Sequence, residues 1–414
     1  MLVDVEAACQ LYREWRSEIK ATTREKLMLE QDRDARQMLT HASQHTELWR
    51  SLMAGQDPAA VRWAELPITN RDLLSQQFEQ SVTDSVLTRD IAQEHFRISP
   101  AEKLLGKYHL FISAGKTGQL GIFVYDEKMW NMYLSSVLRR FYFTHFDFES
   151  SPRVAFIGTS DPAHTLTRTS HLFPNADTCV LGLQQGLNYC VQELQAFQPD
   201  IIIGFSSAVG LFANEQHDGR LAIQPKVVLV GTDQLSANSR KEINEVWETQ
   251  LWECYAATEG GTIAFECPYR EGLHINEDMV LVEVVDEQLV ITNLVNKVQP
   301  FIRYALPDRV KLLEAPCSCG LPYARILPLS GRSLEVLHVP GQNCFVTVHP
   351  IVFRSALDRL PGVKSSEVHY DSGILEVKIG GQFSYAEAEI RLINALQQAG
   401  VNMESLMLKI VSSN

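Results

Sequence analysis

The chain lacks several features that would assign it to a broad class at once. It has 37 Lys and Arg residues against 50 Asp and Glu residues, which gives a formal net charge of −13. Without a basic excess it cannot displace the counterions of a phosphate backbone, so a nucleic-acid binder is not expected. No run of about 18 apolar residues occurs, so no membrane span is expected either.

Other absences narrow the compartment and the chemistry. Residues 1–10 carry acidic side chains and no apolar stretch of the kind found in a secretion signal. Eight cysteines in 414 residues form no dense framework, which is typical of a reduced, cytoplasmic protein. No repeat or low-complexity tract occurs, and no Gly-x-Ser-x-Gly elbow, Ser-His-Asp order or paired-carboxylate motif stands out.

The apolar pattern predicts the fold class. With 45% hydrophobic residues, the chain can bury a large core and form at least two domains. Residues 5–53 have apolar positions at helical spacing and are interpreted as two helices. From Arg153 onward, short apolar runs alternate with amphipathic segments, which predicts parallel strands covered by helices on both faces. The predicted strands are Val154–Gly158, Thr178–Leu181, Ile201–Phe205, Val227–Val230 and Leu251–Ala256.

The pattern changes twice after these strands. Beyond Glu266 it becomes strand-rich. Beyond Gly331 it follows the order strand, helix, two strands, helix and strand, which predicts a compact α+β unit. The expected fold is therefore α/β: a large N-terminal domain with helix-covered parallel sheets and a strand-rich subdomain, residues 1–331, and a small α+β domain, residues 332–414.

A glycine-rich loop, Ser113-Ala-Gly-Lys-Thr-Gly118, follows an apolar run. Small residues let backbone amides approach phosphate oxygens, and Ser113, Lys116 and Thr117 add side-chain donors. A P-loop nucleotidase would match Gly115-Lys116-Thr117, but its leading glycine would fall at position 110, which is leucine. An ordinary glycine turn between two strands remains the other interpretation.

Two polar motifs follow predicted strands. Gly231-Thr232-Asp233 comes directly after one strand, and Tyr255-Ala-Ala-Thr258-Glu259 ends the next. Ligands of parallel α/β sheets bind at the carboxyl ends of strands. The flat ring of Tyr255 suits a base, and the hard carboxylate of Glu259 suits a hard cation. Taken singly, each motif is equally well explained as a strand that ends in a polar turn.

Cys267, His274, Cys317 and Cys319 form a second candidate constellation. Three thiols and an imidazole suit tetrahedral Zn²⁺, and a site filled by protein ligands would be structural. Six residues separate Cys267 from His274 and one separates Cys317 from Cys319, unlike the usual Cys-x-x-Cys spacing. Buried free cysteines and a core histidine are the competing interpretation.

The order of these motifs resembles the adenylate-forming ligases, and above all their phenylacetate–CoA ligase branch. The resemblance covers about 66–363 and includes similar Cys, His and Cys-x-Cys-Gly positions. It implies that ATP and Mg²⁺ activate a carboxylic acid, aromatic or heteroaromatic, to an acyl-adenylate. A thiol such as CoA would then displace AMP while the small domain swings between the two steps. The motifs that carry the resemblance are Leu66–Leu73, the glycine-rich loop, Gly231–Leu235, Tyr255–Glu259, Arg303-Tyr304 with Asp308, and Gly331-Arg332.

The resemblance also implies a role for each residue of these motifs. The residues implied in catalysis are Lys116, Thr258, which would contact the α-phosphate or the substrate carboxylate, and Glu259, which would hold Mg²⁺. The residues implied in nucleotide binding are Ser113, Gly115, Thr117 and Gly118 at the phosphates, Gly231, Thr232, Asp233 and Tyr255 at adenine, Asp308 at the ribose hydroxyls, and Arg332 at ribose or phosphate.

The chain departs from the family pattern near its last residue. Related ligases carry a late lysine, near a Gly-Lys pair, that assists adenylation. Residues 408–414 contain no such pair, and the surroundings of Lys409 do not match. Either Lys116 supplies the missing charge, or the chain adenylates poorly.

Three functions therefore stay open at this point. They are an acyl-CoA ligase, an adenylating amide synthetase that uses an amine and ignores CoA, and a non-catalytic relative that binds ATP or an acid. A homodimer is the default expectation for a soluble enzyme.

Overall fold

The computed structural model describes residues 4–114, 120–144, 151–330, 336–342 and 344–413. The chain divides into two compact units, each assembled from three separate stretches. Unit 1 comprises Met1–Phe111, Ile122–Asp147 and Trp252–Gly331, and unit 2 comprises Ile112–Gly121, Phe148–Leu251 and Arg332–Asn414. The predicted boundary at residue 331 is also where the last stretch of unit 1 ends. That residues 332–414 act as a separate, mobile domain stays a prediction.

The α-helices of the described residues are, in chain order, Val5–Glu18 (α1), Arg24–His45 (α2), Glu47–Met53 (α3), Arg71–Gln76 (α4), Phe78–Ser81 (α5), Arg89–Ile98 (α6), Glu127–Arg139 (α7), Thr165–Thr169 (α8), Leu187–Phe197 (α9), Ser206–His217 (α10), Ala237–Trp247 (α11), Ile351–Leu357 (α12) and Tyr385–Gln398 (α13). The strands are His109–Ala114 (β1), Leu120–Tyr125 (β2), Arg153–Gly158 (β3), Asp177–Gly182 (β4), Ile201–Phe205 (β5), Val227–Gly231 (β6), Gln250–Ala257 (β7), Gly261–Glu266 (β8), Leu273–Ile275 (β9), Val280–Val285 (β10), Gln288–Asn293 (β11), Tyr304–Leu313 (β12), Arg325–Ser330 (β13), Leu337–Pro340 (β14), Phe345–Val348 (β15), Val363–Asp371 (β16), Ile374–Gly381 (β17) and Met407–Ser413 (β18).

Unit 1 begins with a helical segment that differs from the prediction. Two helices were expected between residues 5 and 53, but the structure has three there, α1, α2 and α3. The break between α2 and α3 falls at Thr46, whose backbone is extended. The Thr46 amide donates to Ala42 O over 2.8 Å, and its Oγ1 accepts from Trp49 N over 3.2 Å. One threonine therefore ends α2 and caps α3 without any Gly or Pro.

The strands of unit 1 pair in an antiparallel sense. Their spatial order is β10-β11-β12-β13-β9-β8-β7. Each adjacent pair in this order, from β10–β11 to β8–β7, is antiparallel. The expected strand-rich subdomain lies here. The fifth predicted strand, β7, is confirmed to within one residue at each end, and its neighbour β8 returns antiparallel through a turn at residues 258–260.

Unit 2 contains the predicted parallel sheet. Its strands lie in the order β6-β5-β3-β4, and every adjacent pair is parallel. All residues of β5 and β6 are buried, as expected for strands covered on both faces. The first four predicted strands are thus confirmed to within one residue at each end. The α/β fold class is confirmed as well.

Residues 337–413 of unit 2 have a core of their own. Strand β17 pairs antiparallel with β16 and parallel with β18, and β14 pairs antiparallel with β15. Helices α12 and α13 contribute to an apolar cluster with the sheet, in which Leu357, Leu375, Val377 and Leu392 are fully buried. The predicted order of strands and helices is confirmed from β15 to β18, whereas β14 was not predicted. Across both units, no described helix is long and apolar enough to cross a membrane.

Candidate functional site

The turn between β7 and β8 carries two of the predicted site residues, Thr258 and Glu259. Tyr255 pairs with Ala264 and Ala257 with Gly261 on the two strands. Gly261 has φ +74°, and a Cβ there would lie 3.2 Å from the Tyr133 ring. Only glycine meets both conditions without strain. The Gly260-Gly261 pair therefore fixes where β7 ends and which residues form the turn.

Side chains from distant elements hold the backbone of this turn. The Tyr125 hydroxyl donates to the Thr258 carbonyl, and Asn293 Nδ2 donates to the Glu259 carbonyl over 3.0 Å. Tyr125 and Asn293 are fully buried. Burial raises the pKa of Tyr125 well above its usual range, so its hydroxyl stays a donor. The turn is thus held at two consecutive carbonyls by donors that water does not reach.

The carboxylate of Glu259 lies inside the protein. The residue is 1% exposed. Its Oε1 accepts from Arg71 Nη2 over 3.2 Å and from the Tyr304 hydroxyl over 3.0 Å. Burial, and then the charge of Glu259, raise the pKa of Tyr304, which keeps that hydroxyl protonated. Neither contact had been predicted, because Arg71 and Tyr304 lie far from Glu259 in sequence.

Arg71 belongs to the Leu66–Leu73 motif, and the structure explains why that motif matters. The Thr69 amide donates to Arg303 O over 2.8 Å, and Ala305 N donates to Thr69 O over 2.8 Å. Asn70 then caps α4 by accepting from Leu73 N over 2.9 Å. The segment is therefore joined to the start of β12, and Arg71 follows as the first residue of α4.

Tyr255 and Asp308, predicted for adenine and ribose, contact each other. The Tyr255 hydroxyl donates to Asp308 Oδ2 over 2.7 Å. Asp308 is 3% exposed and lies on β12, four residues after Tyr304. Residues at even spacing share one face of a strand, so Tyr304 and Asp308 face the same way. The structure thus brings four of the functional residues of unit 1 together in two hydrogen-bonded pairs, Tyr255–Asp308 and Tyr304–Glu259.

In unit 2, Gly231, Thr232 and Asp233 follow the carboxyl end of β6. Thr232 has a left-handed backbone with φ 77°. Asp233 is buried, and its carboxylate accepts from Ser206 N over 2.6 Å and Ser207 N over 2.9 Å. These are the first two amides of α10, where a negative charge is stabilised. The Asp233 side chain therefore caps a helix, which was not predicted.

The remaining nucleotide-binding predictions fall mostly on residues that the structure does not describe. Ser113 lies in β1. Gly115, Lys116, Thr117, Gly118 and Arg332 lie outside the described residues.

Cys267, His274, Cys317 and Cys319 come together in unit 1. Their ligand atoms all lie within 4.8 Å of one another. The Cys267 and Cys317 Sγ atoms are 3.7 Å apart, and Cys319 Sγ is 3.2 Å from His274 Nε2. Two sulfurs bound about 2.3 Å from one tetrahedral ion would lie about 3.8 Å apart. Cys267 and His274 are fully buried. The donor set and its spacing fit zinc.

The electrostatics of this cluster also favour a cation. Hydrogen bonds from the Cys319 thiol and His274 lower the pKa of Cys267 to about 3, which favours its thiolate form. Arg325, on the neighbouring strand β13, holds both flanking loops: Nη1 donates to Glu271 O over 2.8 Å and Nη2 to Ala315 O over 2.9 Å. The cluster therefore lies where hydrogen bonds from Arg325 connect strand β13 to two loops.

Comparison with known proteins supports the predicted resemblance. No family model matches the chain. A phenylacetate–coenzyme A ligase of Thermus thermophilus is 26% identical over 220 residues, which cover 49% of this chain and 47% of that protein. The matched region thus spans about half the length of this curated relative. The resemblance to the phenylacetate–CoA ligase branch is confirmed at this level.

Solved structures extend the likeness over most of the chain. An open conformation of 2-hydroxyisobutyryl-CoA ligase, in complex with 2-HIB-AMP and CoA, matches with a TM-score of 0.58 and 16% identity over 93% of this chain and 87% of that one. The same enzyme in the postadenylation state matches with a TM-score of 0.59 and 15% identity, over 94% and 86% of the two chains. At this identity the likeness shows the fold alone, which this chain shares with that enzyme.

Proposed function

We propose that this protein activates a carboxylic acid with ATP to an acyl-adenylate and then transfers the acyl group to a thiol such as CoA. In the first step a carboxylate oxygen attacks the α-phosphorus, and pyrophosphate leaves. In the second step the thiol attacks the acyl carbon, and AMP leaves. The observation that carries the proposal is the partly buried Tyr255–Asp308 pair near the Thr258–Glu259 turn, whose carbonyls are held by hydrogen bonds, in a fold shared with a CoA ligase. An aromatic or heteroaromatic acid is the proposed substrate class.

The residues of unit 1 would then act by position and charge. Tyr255 offers a flat ring for adenine, and its hydroxyl orients the Asp308 carboxylate that would accept the two ribose hydroxyls. Thr258 would contact the α-phosphate or the substrate carboxylate. The Glu259 carboxylate would hold Mg²⁺, which neutralises phosphate charge when bound. Both described donors to this carboxylate use Oε1, so Oε2 is the oxygen that fits a cation.

The other nucleotide contacts are proposed from the sequence motifs. Gly231 and Thr232 would line adenine with their backbones, and Asp233 would shape that turn by capping α10. The loop residues Ser113, Gly115, Thr117 and Gly118, together with Arg332, keep the roles that the sequence implies.

Lys116 is proposed to supply the cation that the late lysine provides in related ligases. Replacing Lys116 by alanine should abolish adenylation if this is right. Unchanged adenylation in this variant would contradict the proposed role of Lys116.

We further propose that Cys267, His274, Cys317 and Cys319 bind one structural Zn²⁺. Support comes from their mutual distances and from the absence of a disulfide at any of the eight cysteines, all of which are described. Unbridged cysteines also agree with a cytoplasmic protein. Metal analysis of protein purified without added zinc should find one zinc per chain. A metal-free protein of unchanged stability would contradict the site.

The test of the activity is ATP–pyrophosphate exchange with Mg²⁺ and a panel of aromatic, heteroaromatic and aliphatic acids. Exchange with one acid would support adenylation and identify the substrate. Product analysis with CoA or an amine would then separate thioester formation from amide synthesis. ATP binding without exchange for any acid would favour a non-adenylating relative, and no ATP binding would contradict the proposal altogether. The oligomeric state, proposed as a homodimer, is a separate measurement by light scattering.

A further inference from the structure

The contact of Arg71 with Glu259 points to a function for a residue outside the predicted site. A buried carboxylate without a partner charge is strongly unfavourable, so a nearby cation is expected. Glu259 is 1% exposed, and Arg71 donates to its Oε1 over 3.2 Å. We propose that Arg71 is a positioning residue that, with Tyr304, holds the Glu259 carboxylate in the orientation that the magnesium nucleotide requires. This inference rests on the proposed function of Glu259.

The position of Arg71 is determined by the surrounding structure. Two backbone hydrogen bonds join Thr69 to Arg303 and Ala305, two residues before Arg71. The Asn70 cap then starts α4 at Arg71. The Arg71 side chain is 16% exposed, and its guanidinium carbon lies 5.5 Å from the centre of the Phe123 ring. An arginine held at both ends in this way loses little entropy when it pairs.

The two donors of the cluster have different tasks. A hydroxyl carries no positive charge, so Tyr304 can orient Oε1 but cannot balance the charge of the carboxylate. Arg71 supplies the missing positive charge from the same side, since it donates to the same oxygen. Oε2 takes part in neither contact and remains the oxygen for a cation. Groups that orient a metal ligand in this manner typically change metal affinity by about 10- to 100-fold when they are removed.

A direct contact of Arg71 with nucleotide phosphates would be a different role, and metal dependence separates the two. The dissociation constants of Mg·ATP and of ATP in EDTA would be measured for the wild type, Arg71→Ala and Arg71→Lys. We expect Arg71→Ala to weaken Mg·ATP binding by about tenfold or more, to leave metal-free ATP binding unchanged, and to be largely rescued by Arg71→Lys. Equal weakening with and without metal, or no change in either, would overturn the inference.

The matched control is Arg97→Ala, which removes an exposed pair with Glu94 in the same unit. It should leave both dissociation constants unchanged. A change of the same size in this control would mean that arginine removal acts through overall charge, and the inference would fall.

A second readout needs no nucleotide. Arg71→Ala leaves Glu259 buried without its counter-charge, so the melting temperature should fall, and adding Glu259→Gln should raise it again. Equal melting temperatures for Arg71→Ala and the double variant would show that the pair is not coupled, which overturns the inference. If the wild type binds no Mg·ATP at all, the proposed function fails. If the wild type binds it and Arg71→Ala binds it equally well, only this inference fails.

Discussion

The hydroxyl of Tyr255 offers the sharpest test of the proposed nucleotide site. Tyr255→Phe keeps the ring that would stack on adenine and removes the O–H that donates to Asp308 Oδ2 over 2.7 Å. Asp308 is 3% exposed, so water cannot easily replace this donor. A hydrogen bond to a charged group contributes about 1.5–3 kcal/mol, and each 1.4 kcal/mol is about tenfold in affinity. We therefore expect the dissociation constant of AMP to rise by about tenfold to a hundredfold.

The matched control is a buried tyrosine of unit 1. Tyr323 is 4% exposed, and its hydroxyl accepts from Trp15 Nε1 over 2.8 Å. Tyr323→Phe should lower the free energy of unfolding by about 1 kcal/mol, since one buried hydrogen bond is lost. It should leave AMP binding unchanged. Calorimetric titration with AMP and urea unfolding, run on both variants, separate an effect on the site from an effect on the fold.

A third variant, Tyr255→Leu, isolates the ring. If Tyr255→Phe binds AMP as tightly as the wild type while Tyr255→Leu does not, the ring stacks but the hydroxyl has no part in orienting Asp308. If the wild type, Tyr255→Phe and Tyr255→Leu all bind AMP equally, Tyr255 does not belong to a nucleotide site. The reasoning from the Tyr255–Asp308 pair is then refuted.

Three further predictions concern the fold, the metal centre and pH. Gly261→Ala should lower the free energy of unfolding in urea by about 1–3 kcal/mol, because φ is +74° and the space is filled; Gly55→Ala, with φ +82° and open space, should cost less. Cys267→Ser should abolish zinc binding measured by metal analysis, whereas replacing the exposed Cys344 by serine should not. Burial lowers the pKa of His349 from 6.5 to about 3, so its stabilisation is present above pH 6.5 and is lost as pH falls. Unfolding at pH 5 should therefore show a loss of about 2 kcal/mol that His349→Asn largely removes.

The local pattern of apolar residues was sufficient to predict those strands and helices whose neighbouring elements are near in sequence. The continuous apolar runs of β3, β5 and β6 predicted buried parallel strands, because only a strand covered on both faces can be apolar throughout. Helix α9, Leu187–Phe197, is one of the amphipathic segments between these runs. Regular periodicity and the glycines and prolines between the runs carry this information within about ten residues.

Pattern alone failed where one residue acts in two ways or where partners are distant. Thr46 ends one helix and caps the next, so the apolar spacing passes through it without a visible break. The antiparallel return after β7 could have been found, since the Gly260-Gly261 pair is a turn signal. The partners of Glu259 could not, because Arg71 lies 188 residues away and Tyr304 lies 45 residues away. The periodicity of apolar residues along the chain gives no information on contacts between residues so far apart.

The wide distribution of these partners has a consequence for how the site works. Arg71, Tyr125, Asn293 and Tyr304 each contact the Thr258–Glu259 turn, two at the carbonyls and two at the carboxylate. They come from different stretches of the chain, so the turn keeps its geometry only when unit 1 is fully folded. A site built in this way does not need to reorganise when charge develops on a phosphate, which is the condition for strong electrostatic stabilisation. Asn293→Ala removes the donor to the Glu259 carbonyl and also the acceptor of Val295 N and Asn296 N, so it should cost stability. It should accordingly lower the rate of pyrophosphate exchange by more than this cost in stability explains, since it frees the Glu259 carbonyl. A variant whose exchange rate falls only in proportion to its unfolded fraction would show instead that the clamp is structural.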